Sequence, residues 1–205
     1  ILESEIPQQH PKREFVEIIK EETTRLNQIV TEFLKFARPP RPTVKLTSLN
    51  QIIESTLTLL NQEAAGAGLT IEKRLQPDLP QFNLDPDQIR QVLLNVLLNA
   101  IQAMPGGGRL VTASRFQPEA EKVTIEISDT GPGIPEEVIP HIFEPFYTTK
   151  EEGKGTGLGL SLAYGIVENH GGRITVRNKS GGGAEFNTIL PIATGKNEGD
   201  QDAEN

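Results

Sequence analysis

Apolar residues recur with a helical rhythm near the start of the chain: Phe15, Ile19, Leu26, Ile29, Phe33 and Phe36 alternate at four- and three-residue heptad positions. Glu22 takes the one polar slot, and Ile18 and Val30 widen the stripe beyond a narrow two-helix seam. The pattern predicts one long amphipathic helix that stops near Arg38, because Pro39, Pro40 and Pro42 cannot continue it. Pro7 and Pro11 bracket a preceding loop, which makes Ile1 to Ile6 the expected end of an earlier helix. The stripe has too little partner surface within residues 1–42, so it is expected to pack into a bundle with another chain.

From residue 43 to 193 helical and strand rhythms alternate. Ser48 with Gln51 spells a capping box before a helix from Leu49 to Gln62. Asp85, Pro86 and Gln88 form a second N-terminal signature, with proline at the first helical position, before a helix reaching Met104. Strands are expected over Arg109–Arg115, Val123–Asp129, Arg173–Asn178 and Glu185–Leu190. Strands this close in sequence, interleaved with helices, predict an α+β fold in which helices cover one sheet. Residues 194–205 are polar and acidic, with no periodicity, and read as a disordered tail.

Composition removes whole classes of function. There is no cysteine, which excludes thiolate metal sites, disulfide staples and cysteine nucleophiles and fits a reducing, cytoplasmic setting. The net charge of −8 opposes non-specific binding of nucleic acid, which needs clustered positive charge. No apolar run approaches the roughly 20 residues that cross a bilayer.

Four segments carry candidate chemistry. In Gln91 to Ala100, Asn95 and Asn99 sit four apart on one helix face, while Val92, Leu93, Val96 and Leu97 bury the opposite side. Neutral amide oxygens suit Mg²⁺, which takes one or two protein ligands beside phosphates, although the pair alone also fits a structural role. In Asp129-Thr130-Gly131-Pro132-Gly133-Ile134, a carboxylate at a strand end can accept from an exocyclic amine while glycines admit a flat ring; alone this is also an Asp-Gly turn. Ile142 to Lys150 concentrates Phe143, Phe146 and Tyr147 as anchors of a mobile loop, with Lys150 aimed at phosphates or simply solvated. Gly153 to Ser161 is dense in glycine and runs straight into a helix ending at Asn169, a place where backbone N–H groups bind phosphate beneath a flexible lid. It is neither a Walker loop nor a dinucleotide fingerprint.

In this order and spacing the four segments resemble the N, G1, F and G2 boxes of sensor histidine kinases, within the superfamily of gyrase, heat-shock chaperone, histidine kinase and MutL ATP-binding domains. The Phe146-Tyr147-Thr148-Thr149-Lys150 wording looks most like the nitrogen-regulator branch. The resemblance implies a two-layer Bergerat-type α/β sandwich preceded by the second helix of a dimerisation hairpin. It implies that Asp129 binds the adenine amino group, with Gly131, Gly133 and Ile134 shaping that wall. Asn99 would ligate Mg²⁺, with Asn95 assisting at the metal or phosphates. Lys150, Lys154 and the Gly155-Thr156-Gly157-Leu158-Gly159-Leu160 run would embrace the phosphates of ATP or ADP. Relatives often place lysine or arginine where this chain has Gln102, so one positive charge is missing there.

Hydrolysing members of the superfamily carry a glutamate where this chain has Asn95, and an amide cannot take a proton from water. Asn95 and Lys150 are therefore the expected catalytic pair of a kinase rather than an ATPase. The family's phosphoacceptor lies in a His-Glu/Asp-x-Arg/Lys-Asn-Pro context, which none of His10, His141 and His170 has. His170, at a helix end, reads as a residue favoured by the dipole. The expected partners are a histidine-bearing helix from a missing part or another chain, a response regulator receiver domain, and a second copy in the parent protein. A hydrolysing ATPase and a nucleotide-blind scaffold stand as alternatives.

Overall fold

The computed structural model describes residues 13–37, 42–150 and 155–192. The chain divides into two compact units, residues 1–40 and 41–205. In the first, helix α1 (Arg13–Ala37) ends beside the predicted stop. The hydroxyls of Thr23, Thr24 and Thr31 each donate to the carbonyl four residues back, so these polar groups are satisfied within the helix. The apolar stripe stands exposed, with Phe15 at 64% and Leu26 at 59%. The predicted upstream loop, the side chains of Ile29 and Phe36, residues 38–41 and the acidic tail lie outside the described residues.

The second unit is a two-layer sandwich, as the sequence predicts. Its elements are β1 (Lys45–Thr47), α2 (Leu49–Gly66), β2 (Leu69–Leu75), β3 (Phe82–Leu84), α3 (Pro86–Gln102), β4 (Gly108–Gln117), β5 (Lys122–Ser128), α4 (Gly159–Asn169), β6 (Arg173–Asn178) and β7 (Ala184–Pro191). Five strands lie in the order β2-β4-β5-β7-β6. The β2–β4 pair is parallel and the others are antiparallel. Strands β1 and β3 form a separate antiparallel pair. Helices α2, α3 and α4 cover one face: Leu57, Leu93, Leu97 and Val167 are buried against Leu110, Ile125 and Phe186 from alternate strand positions. The other face is polar. There Arg177 and Asn187 hold the Glu185 carboxylate, which burial pushes up in pKa and these two partners bring below its ordinary value.

Both predicted helix starts form, with differences in detail. At Ser48 only half of the capping box is made: Oγ accepts from the Gln51 N–H at 3.5 Å, and no reciprocal side-chain bond returns. Helix α2 runs past the expected Gln62 to Gly66 because Glu63, Ala64 and Ala65 are good helix formers.

Asp85 caps α3 more firmly. Its Oδ1 accepts from the Asp87 and Gln88 N–H groups at 3.0 Å, and its Oδ2 accepts from Thr43 N–H at 2.6 Å. His170 stands at the C-cap of α4, as expected, and also reaches across to α3. Its Nε2 accepts from Asp85 N–H at 3.2 Å, and its Nδ1 contacts the Ile166 carbonyl at 2.8 Å. Through these two contacts the ring joins the end of α4 to the start of α3.

Burial pushes the Asp85 carboxyl up, but the amides of Gln88, Thr43 and Asp87 outweigh it and hold the pKa below the ordinary value. A carboxyl depressed by folding adds stability above its unfolded pKa of about 4, and that stability is lost as pH falls through the folded value. Asp85→Asn keeps a capping oxygen but not the charge, so it is expected to lower stability by about 1 kcal/mol at pH 7. Its melting temperature should also fall less steeply than the wild type's as pH drops below about 4. Equal acid slopes would move the sensitivity elsewhere, with Glu185 next in line.

Among the described residues no helix is long and apolar enough to cross a membrane.

Candidate functional site

The exposed side of α3 serves as the floor of the site. Val92, Leu93, Val96 and Leu97 are buried, so Asn95, Asn99 and Gln102 are turned away from the core. From Asn95 to Gln102 this floor spans about 11 Å at 1.5 Å per residue. Three other segments meet it in turn.

At the near end, the Asn95 amide is committed to the protein. Its Nδ2 donates to the Gly159 carbonyl at 2.7 Å, and its Oδ1 accepts from Gln91 Nε2 at 3.0 Å. Asn95 thus ties the floor to the first turn of α4. No side chain caps that helix. Leu158 N–H donates to Thr156 Oγ1 at 3.3 Å, and the Leu158 carbonyl accepts from Leu162 N–H and Ser161 Oγ. The Leu158 side chain is 1% exposed, so it anchors the loop in the core. Leu160 packs partly against the core. The amides of Gly159 and Leu160, in the first turn of α4, make no hydrogen bond among the described residues and are open to an anion.

In the middle, Lys150 Nζ donates to Asn99 Oδ1 at 2.9 Å and to Gln102 Oε1. Helix α3 lacks a cation at position 102, and Lys150 brings one there from across the site. Desolvation lowers the lysine pKa below its ordinary value. Gly155 lies alongside: a Cβ there would stand 2.9 Å from Thr148 Oγ1 and 3.1 Å from Lys150 Cδ. Lys154 lies outside the described residues.

The aromatic anchors divide differently from the sequence expectation. Phe143 packs its ring against Tyr164 and Phe186, at centroid distances of 5.5 and 6.5 Å, and Tyr147 lies against His141. The Phe146 side chain is 58% exposed. The Phe146 backbone, at a φ of +65°, donates N–H to the Gly157 carbonyl at 3.0 Å. A Cβ at Gly157 would lie 2.7 Å from both Phe146 Cα and O. The loop before α4 is therefore clasped backbone to backbone, a contact that aromatic content does not announce.

At the far end, Asp129 closes the site. It is 4% exposed, and its Oδ1 accepts from Gly131 N–H at 2.8 Å and Ala184 N–H at 3.1 Å. No hydrogen bond among the described residues engages Oδ2. Gly131 abuts the floor, where a Cβ would stand 3.1 Å from Met104 Cγ. Thr130 Oγ1 accepts from Arg109 N–H at 2.9 Å, which pins the loop to the start of β4. Gly133 and Ile134 sit against Asn178, whose amide bonds the Ile134 backbone. Sequence reasoning missed Asn178, Gly183 and Ala184. The only signal was the Gly181-Gly182-Gly183 run between two strands.

Three helices on a mixed five-stranded sheet make this a Bergerat-type α/β sandwich. Residues 84–194 match the family described as histidine kinase-, DNA gyrase B- and HSP90-like ATPases, and the chain belongs to that family. It is 38% identical over 180 residues to sensor histidine kinase ZraS of Escherichia coli (strain K12), covering 87% of this chain and 38% of ZraS. It superposes on full-length ShkA in complex with AMPPNP with a TM-score of 0.83 and 26% identity, over 95% of this chain and 42% of that one. It superposes on histidine kinase ThkA in complex with response regulator protein TrrA with a TM-score of 0.73 and 28% identity, over 92% and 53% of the two chains. The chain spans 24% to 42% of the length of the first curated relatives it matches.

Proposed function

We propose that this chain binds Mg-ATP along the α3 floor and supplies the γ-phosphoryl group to a histidine carried on a separate segment or chain, for relay to a response regulator in the cytoplasm. Asp129 Oδ2 receives the adenine amino group, and Lys150 with the first-turn amides of α4 meets the phosphates. The parent protein pairs through the exposed stripe of α1.

The reading rests on Asn95. A hydrolysing site needs a carboxylate here to take a proton from water, and an amide bonded to Gly159 and Gln91 cannot do so. Positioning and charge neutralisation are what remain, and they suffice for phosphoryl transfer to a delivered nucleophile. The imidazole nitrogen forms its bond to phosphorus as the bond to the β-phosphate oxygen breaks, and ADP leaves with that electron pair.

The donor set fits Mg²⁺ on one specific ground. Asn99 Oδ1 already accepts from a cation, the Lys150 ammonium. Among the described residues no group of three or more histidine, aspartate or glutamate side chains could hold a metal, so the ion would depend on phosphate oxygens for most of its shell. When bound, it would offset phosphate charge as transfer proceeds. Lys150 contributes a second, fixed positive charge from the opposite wall.

Titration of Mg-ATP with free phosphate followed in the same sample tests this. Saturable binding with negligible release, and label appearing on an added histidine-bearing partner helix, is the expected result. Sustained release would assign an ATPase, and absence of binding in a folded sample would leave a scaffold. Asn99→Ala should raise the Mg²⁺ concentration needed for half-maximal ATP binding about tenfold, a loss of one ligand bond. An unaltered Mg²⁺ requirement would place the ion elsewhere.

A further inference from the structure

We infer that Asn178 is a positioning residue for recognition of the nucleotide base, fixing the Gly133–Ile134 backbone opposite the free oxygen of Asp129. This rests on the reading that Asp129 takes the base.

Asn178 is the last residue of β6, directly opposite Ala184 of β7. Its Oδ1 accepts from Ile134 N–H at 2.8 Å, and its Nδ2 donates to the Ile134 carbonyl at 2.6 Å. Two oppositely directed bonds to one residue reproduce a strand pairing with a side chain, and they fix the peptide in both position and rotation. An aspartate would supply only the acceptor, and a serine would be too short to reach both groups.

The wall depends on this clasp. Residues 132–134 make no backbone–backbone hydrogen bond among the described residues. Gly133 lets the amide come close: a Cβ there would stand 2.9 Å from Asn178 Oδ1. Asp129 is referenced to the same β6–β7 hairpin by independent bonds, from Ala184 N–H to its Oδ1 and from Lys179 Nζ to its carbonyl at 3.3 Å. Carboxylate and wall therefore share one frame, and only the wall reaches that frame through Asn178. The Asn178 side chain is exposed, so its bonds add little to global stability. Geometry at the base is what they supply.

The test measures Asn178→Ala and Asp129→Asn in the same intact chain. The readouts are competitive displacement of a fluorescent ATP analogue by ATP and by GTP, and amide hydrogen exchange at Ile134. Asn178→Ala is expected to weaken ATP about tenfold while leaving GTP unchanged, as the loss of two modest bonds at the base would do. Ile134 exchange should quicken as well. Equal weakening of ATP and GTP, or no change in either while Asp129→Asn still weakens ATP, would overturn the inference. If Asp129→Asn leaves ATP affinity untouched, the base site itself is misplaced and the inference falls with it. Should Asn178→Ala not fold, Asn178→Asp takes its place. That variant keeps the size and loses the bond to the Ile134 carbonyl, so ATP should weaken by a smaller factor, and no weakening would again overturn the role.

Discussion

Gly183→Ala is expected to destabilise the nucleotide-binding unit by about 2–5 kcal/mol and to abolish ATP binding at ordinary concentrations. Gly183 stands at a φ of +84° in the β6–β7 turn, where a side chain costs about 1–2 kcal/mol by itself. The larger difficulty is space. A Cβ would overlap the Asp129 carbonyl oxygen and lie 2.7 Å from its carbon and 3.0 Å from Oδ1. Neither strand can give way easily. Asp129 N–H donates to the Ala184 carbonyl at 3.0 Å, Ala184 N–H returns a bond to Asp129 Oδ1, and Lys179 N–H holds the Gly183 carbonyl at 2.9 Å. Relief would break the bonds that aim the carboxylate. Gly181 is the internal control, because a Cβ there meets nothing within 4 Å. Urea unfolding with ATP titration on both variants separates the effects. A Gly183→Ala protein with normal stability and binding would show that the turn can shift without moving Asp129.

What the sequence could announce, and what it could not, follows from how far each signal travels along the chain. Helix α3 was legible because its capping aspartate, first-turn proline and apolar face all lie within 20 consecutive residues. The Asp129 loop and the glycines before α4 were legible for the same reason. Strand β2 was not: the face that carries Leu69, Ile71 and Leu75 also carries Lys73, exposed at the sheet edge, which spoils the alternation. Strands β1 and β3 are three residues each, too short to show a period, and they exist because they pair with one another. The contacts that finish the site join distant segments: Asn178 with Ile134, Gly157 with Phe146, His170 with Asp85. A close approach between backbones leaves a glycine as its only local trace, and this chain has 19 of them.

Lys150 shows how tertiary placement can repair a local departure. A missing cation at position 102 looks like a defect when α3 is considered alone. With Lys150 Nζ bonded to both Asn99 and Gln102, the positive charge arrives from the opposite wall and is held by neutral acceptors. The same ammonium holds the Asn99 oxygen proposed for Mg²⁺, so an ion bound there would share or displace that contact.

Asp129→Asn should lower ATP affinity about 100-fold and narrow or reverse the preference for ATP over GTP, with the fold intact. The direction follows from which oxygen is already occupied. Two backbone N–H groups, from Gly131 and Ala184, point at Oδ1. An asparagine at 129 must keep its carbonyl oxygen there, since turning the amide over would set an NH₂ against two donors inside a buried site. Its NH₂ then stands where Oδ2 was, facing the base in the proposed site. Adenine presents an amino group at that position and would meet donor with donor. Guanine presents an oxygen and would gain a partner. The substitution is isosteric and preserves both internal bonds, so the melting temperature should shift little. Displacement curves for ATP and GTP on the folded variant decide the matter: parallel losses would make Asp129 a general electrostatic element, and unchanged curves would remove it from base recognition altogether.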